Sequence, residues 1–368
     1  MVMGSHVSAP GAVKLKRNTE YYLDRVVVGQ SSDGTDYHSE PRVVEMKDGR
    51  LLCVHQRAQL HDDNTTRIVY RTSADRGKTW SADTTLYDPA SGYAGRNPGL
   101  CLDPTTGRII VFAREYNSGT AQVDLVYMYS DDNAATWNSP TSIMGLFGAE
   151  PVAVPFGKGV ETAQGLMQIF YASDKIWALF STDNGQSWGG LVTIHDNQQA
   201  SATFSESVPV RIDNNRVVLC VRDGDNPERF YFFRTTDGGA TWAGVQFGTW
   251  TGQAINTPTP LTGIRHENDV YLSWGARSPD WNLYLVKASA EYFFQAPDDV
   301  IANATRVKLI KSEASGGGAA SDAEFGYSDL AVLSGIQHTV LVTWYDTKDD
   351  ATVTDTNVYA MSAPRVSA

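Results

Sequence analysis

The sequence predicts an all-β chain, a six-bladed β-propeller of four-stranded antiparallel blades, and three observations predict it. One short phrase recurs four times, as Ser73-Ala74-Asp75-Arg76-Gly77-Lys78-Thr79-Trp80 and again over 130–137, 181–188 and 235–242. Its closing tryptophans, Trp80, Trp137, Trp188 and Trp242, lie 57, 51 and 54 residues apart, a period that marks one supersecondary unit built many times. Between the phrases, short runs rich in Val, Ile, Tyr and Phe alternate with turn residues at intervals of about 8–12 residues. Helical periodicity is weak throughout.

The phrase has a local mechanism. Its Asp accepts backbone N–H bonds within a tight turn, its Gly takes a positive φ, and its Trp folds back on a strand. Each unit then shows one order of events. A proline-containing strand start comes first, at Glu40-Pro41, Asn97-Pro98, Glu150-Pro151, Val208-Pro209 and Thr257-Pro258. A turn and an apolar strand follow, as at 48–54, 106–112, 164–171, 214–221 and 268–274. A third strand runs into the Asp-containing turn. Two further units keep the layout without the phrase, one holding 282–289, the other 327–333 and 338–345. Six units of about 58 residues suit four-stranded blades. The strand at Tyr21–Val28 is expected to complete the last blade beside 357–363, which protects sheet edges. Residues 290–326 are loosely patterned, so a seventh unit is the rival count. Residues 1–20 read as an N-terminal tail in which Met3-Gly4-Ser5-His6 resembles a vector remnant, and 21–368 read as one propeller domain.

The totals exclude several partners. A net charge of −12 provides no basic stripe for nucleic acid, and an anionic substrate would need a local cationic patch. No stretch is long and apolar enough to span a membrane. Cys53, Cys101 and Cys220 sit in apolar runs and read as buried free thiols. The seven histidines are scattered, and no metal or cofactor motif is present. Residues 1–20 lack the apolar core of a signal peptide, although a glycan-directed activity would suit an extracellular setting. Neither compartment nor oligomeric state can be read.

Taken with three inner segments, the repeated phrases, known as Asp boxes, resemble those of the sialidase superfamily of glycoside hydrolases over nearly the whole chain beyond residue 20. The Phe325-Gly326-Tyr327-Ser328-Asp329-Leu330 segment is similar to the one carrying the family's catalytic tyrosine, which implies that role for Tyr327. Ser205-Glu206-Ser207 followed by Arg222 resembles the segment supplying the tyrosine's glutamate partner and a substrate-binding arginine. Upstream of the first Asp box, Asp62 or Asp63 stands at the offset of the general acid/base. Asp346 matches the family's glutamate that supports the first arginine.

Chemistry explains the set. A free tyrosine has a pKa near 10 and is a poor nucleophile at neutral pH, so a carboxylate within reach must take its proton. Tyrosine suits an anionic sugar, which a carboxylate nucleophile would repel. The resemblance implies retaining hydrolysis through a tyrosyl-glycosyl intermediate, with Asp62 or Asp63 protonating the leaving oxygen.

The departures open the substrate. The family grips a carboxylate with three arginines. Ser39-Glu40-Pro41 stands where an Arg-Ile-Pro segment is expected, Arg222 fills the second place, and Arg277 falls several residues before the Asn282-Leu283 strand that the third should precede. Arg42, Arg57, Arg96 and Arg114 are other cations available to compensate. Glu40 and Glu150, both before prolines, suit a pocket accepting hydroxyls or an amine. Ordinary roles compete at each position: Tyr327 as a packed strand aromatic, Glu206 as a turn cap, Asp62 and Asp63 as a solvated loop, Arg222 as an ion pair with Asp223. The expected function is a sialidase-like hydrolase of a glycan or polysaccharide. An exo-arabinanase-like hydrolase of neutral sugars and a non-catalytic glycan-binding propeller are the alternatives.

Overall fold

Apolar residues occupy consecutive, not alternate, positions of the middle strands, which dictates cover on both faces of each sheet. In Ile109–Asn117 the first five side chains are all buried, and Leu51–Ala58 is buried along nearly its whole length. A computed structural model describes residues 25–30, 36–60, 63–117, 121–172, 175–196, 204–223, 229–249, 259–276, 282–297, 299–300, 306–311, 325–334, 340–347 and 356–363. It is nearly all-β, with a 3-10 turn at Met144–Phe147 and a short α-helix at Ala290–Gln295 capped by Ser289.

The strands form antiparallel units of four. The first is Tyr37–Glu45, Leu51–Ala58, Arg67–Ser73 and Thr84–Tyr87. The second is Ala94–Leu102, Ile109–Asn117, Ala121–Ser130 and Thr141–Ser142. The third opens on two short pieces, Val154–Pro155 and Val160–Thr162, then Gly165–Ala172, Lys175–Ser181 and Gly189–Asp196. The fourth is Phe204–Arg211, Val217–Asp223, Arg229–Thr235 and Ala243–Thr249. The fifth is Thr262–His266, Asp269–Ala276, Asn282–Ser289 and Arg306–Lys311. The last has Phe325–Val332, Val340–Thr347 and Thr356–Ala363. Val26–Gly29 completes it against Thr356–Ala363, with Val26 opposite Ala360, as the sequence led one to expect. A single parallel pair, Tyr37 with Thr356, joins the first and last units.

Apolar side chains fill the gap between consecutive units. Leu52 and Ile68 meet Leu100 and Val111 between the first and second, and Phe112 meets Phe170 between the second and third. Met167 packs with Leu219, Phe232 with Trp274, and Leu285 with Trp344 across the next gaps. Leu341 and Val358 of the last unit then share a cluster with Leu51 and Cys53 of the first. Within the loosely patterned stretch, the described residues supply the helix and a strand that completes the fifth sheet. The three cysteines are buried and free, and burial pushes the Cys101 thiol up to about 12.

Each Asp box joins the third strand of its unit to the fourth. In the first, the Ser73 hydroxyl accepts from Gly77 N at 2.8 Å, Asp75 accepts from Thr79 N and Oγ1 at 2.9 and 2.6 Å, and Trp80 Nε1 donates to Gly77 O. The boxes also reach the preceding unit. Arg50 donates to Asn133 O, Arg108 to Asn184 O and Gln164 to Asp237 O.

The prolines correct one expectation. They do not start strands: Pro41, Pro98 and Pro209 lie within Tyr37–Glu45, Ala94–Leu102 and Phe204–Arg211. These are the first strands of their units, and the missing N–H is tolerated where a ladder is irregular or unpaired on one side. Glu150-Pro151 follows the 3-10 turn, with Glu150 ion-paired to Lys175. Thr257-Pro258 lies outside the described residues.

Candidate active site

Four first strands are bulged at corresponding places. The register slips between Ser39 and Arg42, Arg96 and Gly99, Phe204 and Ser207, and Gly326 and Asp329. The inserted pairs are Glu40-Pro41, Asn97-Pro98, Ser205-Glu206 and Tyr327-Ser328. Glu40, Asn97 and Tyr327 adopt positive φ angles of 51°, 52° and 45°, conformations unfavourable for residues with a Cβ. Bulges re-aim side chains, and retained strain of this kind gathers at functional sites.

Two of these bulges and one neighbouring strand meet in a triangle. The Tyr327 hydroxyl donates to Glu206 Oε1 at 2.7 Å. Arg222, on Val217–Asp223 beside the Glu206 strand, donates through Nη1 to both Glu206 oxygens at 3.1 and 3.2 Å and lies 3.4 Å from the Tyr327 oxygen. Burial pushes the Glu206 carboxyl up, but the Arg222 charge and the hydrogen bond from Tyr327 outweigh it and hold the group below its ordinary value. Burial likewise opposes the Arg222 cation, yet Glu206 keeps the guanidinium above its usual range. Glu206 is therefore an anion facing a phenol, with a cation beside both. Such a set can accept the phenolic proton and stabilise the oxygen it leaves.

The surroundings are aromatic and cationic. Phe156 and Tyr345 flank the Tyr327 ring at 5.9 and 5.6 Å. Tyr171 is held well above the ordinary tyrosine value by burial, then by the charges of Glu206, Tyr327 and Glu40. Arg96 and Arg114 face each other across a strand pair, and each guanidinium stands 4.6 Å over the Tyr116 ring. Asn97 Nδ2 donates to both Glu40 oxygens at 3.2 and 3.3 Å. Buried Gln56 sets that corner, accepting from Asn97 N at 2.7 Å and donating to Ser39 Oγ at 3.1 Å.

The structure brings Tyr327, Glu206 and Arg222 together, although 121 residues separate the first two. It also gathers Glu40, Arg96 and Arg114, which interact with Tyr171 or its neighbours. The other expected residues stand outside that triangle or outside the described residues. Arg57 pairs with Asp36 at 2.7 Å and Asp83 at 3.4 Å. The Asp63 carboxylate closes its own turn, accepting from Leu60 N at 2.8 Å and Thr65 N at 2.7 Å, while its carbonyl accepts from Arg96. Asp346 is buried opposite Phe325. Asp62 and Arg277 lie outside the described residues. The arginine place before the first proline belongs to buried Ser39, bonded to Gln56.

Sequence reasoning missed Asn97, Gln56, Tyr116, Tyr171 and Phe156 as neighbours of the site. Only Asn97 had a signal, its place before a proline equivalent to Glu40. Two of the seven histidines converge: His38 Nδ1 and His55 Nε2 are 3.0 Å apart, with Asp83 3.8 Å from His55. Arg71 and Arg57 already answer the Asp83 charge, and burial drives the His38 pKa down to about 4.

The repeat pattern has a match among known families. A profile of the BNR repeat-like domain covers residues 49–268. The chain belongs to the BNR repeat-like domain family. Solved structures of similar fold extend this likeness to nearly the full length. A protein of unknown function from Dyadobacter fermentans DSM 18053 is 19% identical, with a TM-score of 0.76 over 96% of this chain and 100% of that one. An intramolecular trans-sialidase from Ruminococcus gnavus, in complex with oseltamivir carboxylate, is 15% identical, with a TM-score of 0.68 over 92% and 96%. An α-L-arabinanase from Penicillium chrysogenum, complexed with arabinobiose, is 14% identical, with a TM-score of 0.65 over 93% and 98%. At these identities the likeness is one of fold, that of the sialidase-like β-propellers.

Proposed function

We propose that this BNR-family chain is a retaining glycoside hydrolase with sialidase-like machinery, built on a six-bladed propeller of four-stranded blades. The observation that carries this reading is the triangle of Tyr327, Glu206 and Arg222. The Tyr327 oxygen attacks the anomeric carbon and the glycosidic C–O bond breaks. Glu206 takes the phenolic proton. The leaving oxygen is protonated by an acid from the 62–63 loop, and Asp62 is the better candidate because the Asp63 carboxylate is spent on its own turn. Water, deprotonated by that same group, then attacks the anomeric carbon, the bond to the Tyr327 oxygen breaks, and Glu206 returns the proton to the phenol. The substrate is a sialic acid or another acidic sugar, with Arg222 beside Tyr327 and Glu206 as the cation that meets its charge.

A second reading has its own support. Ser39 cannot bind a carboxylate as arginine does, and Glu40 with Asn97 offers an acceptor and donor pair suited to hydroxyls. That corner favours a neutral sugar on the same catalytic set.

The test is turnover of wild type and Tyr327→Phe on a panel of sialosides, uronides and arabinosides. The expected result is hydrolysis of one class with retained anomeric configuration by NMR, a loss in kcat of roughly 10³-fold or more in the variant, and little change in Kd. Undiminished turnover by Tyr327→Phe overturns the mechanism. Binding without hydrolysis in both proteins favours a glycan-binding propeller.

A further inference from the structure

Beside Tyr327 the core holds a positive charge with few protein partners. Arg42 is 2% exposed. Its Nη1 donates to Pro41 O at 2.9 Å and its guanidinium lies 4.4 Å from the Phe156 ring centre. Among the described residues it has no ion pair, and its Nε and Nη2 are buried without a hydrogen-bond partner. The Ser328 hydroxyl, 4% exposed, is in the same condition. Both residues line one small cavity of about 10 Å³, together with Tyr327, Asp329, Thr262 and Phe156.

Charge balance points to what belongs there. Among the described residues the carboxylate that lines the cavity, Asp329, is ion-paired with Lys158 at 3.4 Å, and Glu206 beside Tyr327 is paired with Arg222. That leaves the Arg42 charge uncompensated, and an isolated buried charge is costly unless paired and hydrogen-bonded. The cation–π contact offsets only part of that cost. A cavity of this size has room for one water-sized occupant. It is too small for a sulfate, a phosphate or a carboxylic acid anion. A halide-sized sphere in that cavity meets walls that include Arg42 and Ser328, both with unanswered donors, and it answers the charge as well, which water does not.

We propose that this cavity is a binding site for one monovalent halide, chloride under ordinary conditions. The ion fastens Ser328 to Arg42 and thereby braces the bulge that carries Tyr327 at its positive φ. This site goes beyond the catalytic reading and stands or falls independently of it, because its readouts are occupancy and stability.

Crystals of the full chain grown without halide and soaked in sodium bromide would be measured at the bromine absorption edge. The expected result is one anomalous peak between Arg42 and Ser328. A cavity with no anomalous signal, or one holding only a water oxygen, overturns the proposal. In solution, wild type moved from sodium gluconate to sodium chloride or bromide at constant ionic strength should gain several degrees in Tm, saturating with halide. Ser328→Ala, a small change that leaves the fold intact, should retain less than half of that gain, and Arg42→Gln should lose it if folded. An equal Tm for wild type in gluconate and halide counts against the site whatever the variants do.

Discussion

Lys158 Nζ and Asp329 Oδ2 meet at 3.4 Å in the core, and through them four units are tied to one another. Asp329, on the last unit, also accepts from Val43 N of the first at 2.7 Å and from Thr262 of the fifth at 3.3 Å. Lys158, from the third, donates to the carbonyls of Val43 and Leu330. Burial depresses the lysine pKa, and Asp329 resists that change. Lys158→Met removes the ion-pair partner of a buried carboxylate, so it is expected to cost about 3–5 kcal/mol. Urea unfolding midpoints at constant m-value check this. A loss under 1 kcal/mol would show the pair to be dispensable.

Under the proposed mechanism, the pH dependence of turnover follows from Glu206. Its carboxyl must be ionised to accept the Tyr327 proton, and Arg222 is the main influence holding it below its ordinary value against burial. In Arg222→Gln, burial prevails and the acidic limb of kcat/KM moves to higher pH. A pH–rate profile of the two proteins measures the displacement, and an unmoved or lowered limb contradicts the assignment. The same depression stabilises the fold above the ordinary carboxylate range, a contribution lost as pH falls through the folded-state value.

Acid sensitivity should be written into the Asp boxes. Hydrogen bonds from Thr79 hold Asp75 at about 2, and those from Thr136 hold Asp132 at about 2, from a starting value of 3.8. Depressed carboxyl values contribute stability fully above the unfolded value. That contribution fades as pH falls from 3.8 toward 2. The Tm of wild type should therefore fall across this window. Asp75→Asn should begin lower at neutral pH and fall less steeply, and parallel curves would assign the acid loss to other carboxylates.

A methyl group at Gly185 should be harmful in a way that Ala134 is not. Gly185 has φ +81°, and a Cβ there would stand 2.7 Å from Ile110 Cδ1 of the preceding unit. Ala134 takes the equivalent place in the second box at φ +66° and fits. Gly185→Ala is expected to cost about 1–3 kcal/mol, whereas Ala134→Gly should change stability by less than about 1 kcal/mol. Denaturant titration of the pair separates contact from backbone strain.

Much of the architecture was legible because its determinants are local. An Asp box closes on itself through bonds spanning two to four residues, so Asp75 and Thr79 declare their turn without reference to the rest of the chain. The triangle of Tyr327, Glu206 and Arg222 was legible at one remove, since each of the three lies in a short recognisable segment. Asn97, Gln56 and Phe156 carried no comparable mark. Their places depend on bulges, and a slip of register by one residue exchanges the faces of a strand. The partners of Arg57 and Asp63 were not legible either, because a charge in the sequence says nothing about which neighbour will claim it.

By itself the sequence determined an all-β chain of repeated four-stranded units, closed by an N-terminal strand, with a tyrosine, a glutamate and an arginine in an order that suits one site. Turn chemistry and strand patterning act over a few residues, and so survive translation into one dimension. Only the tertiary structure decided that Tyr327 touches Glu206 across 121 residues, that Ser39 is buried against Gln56, and that Arg42 is buried with no ion pair among the described residues. Those outcomes depend on which strands bulge and which charges meet as the units come together, and no local spacing encodes either.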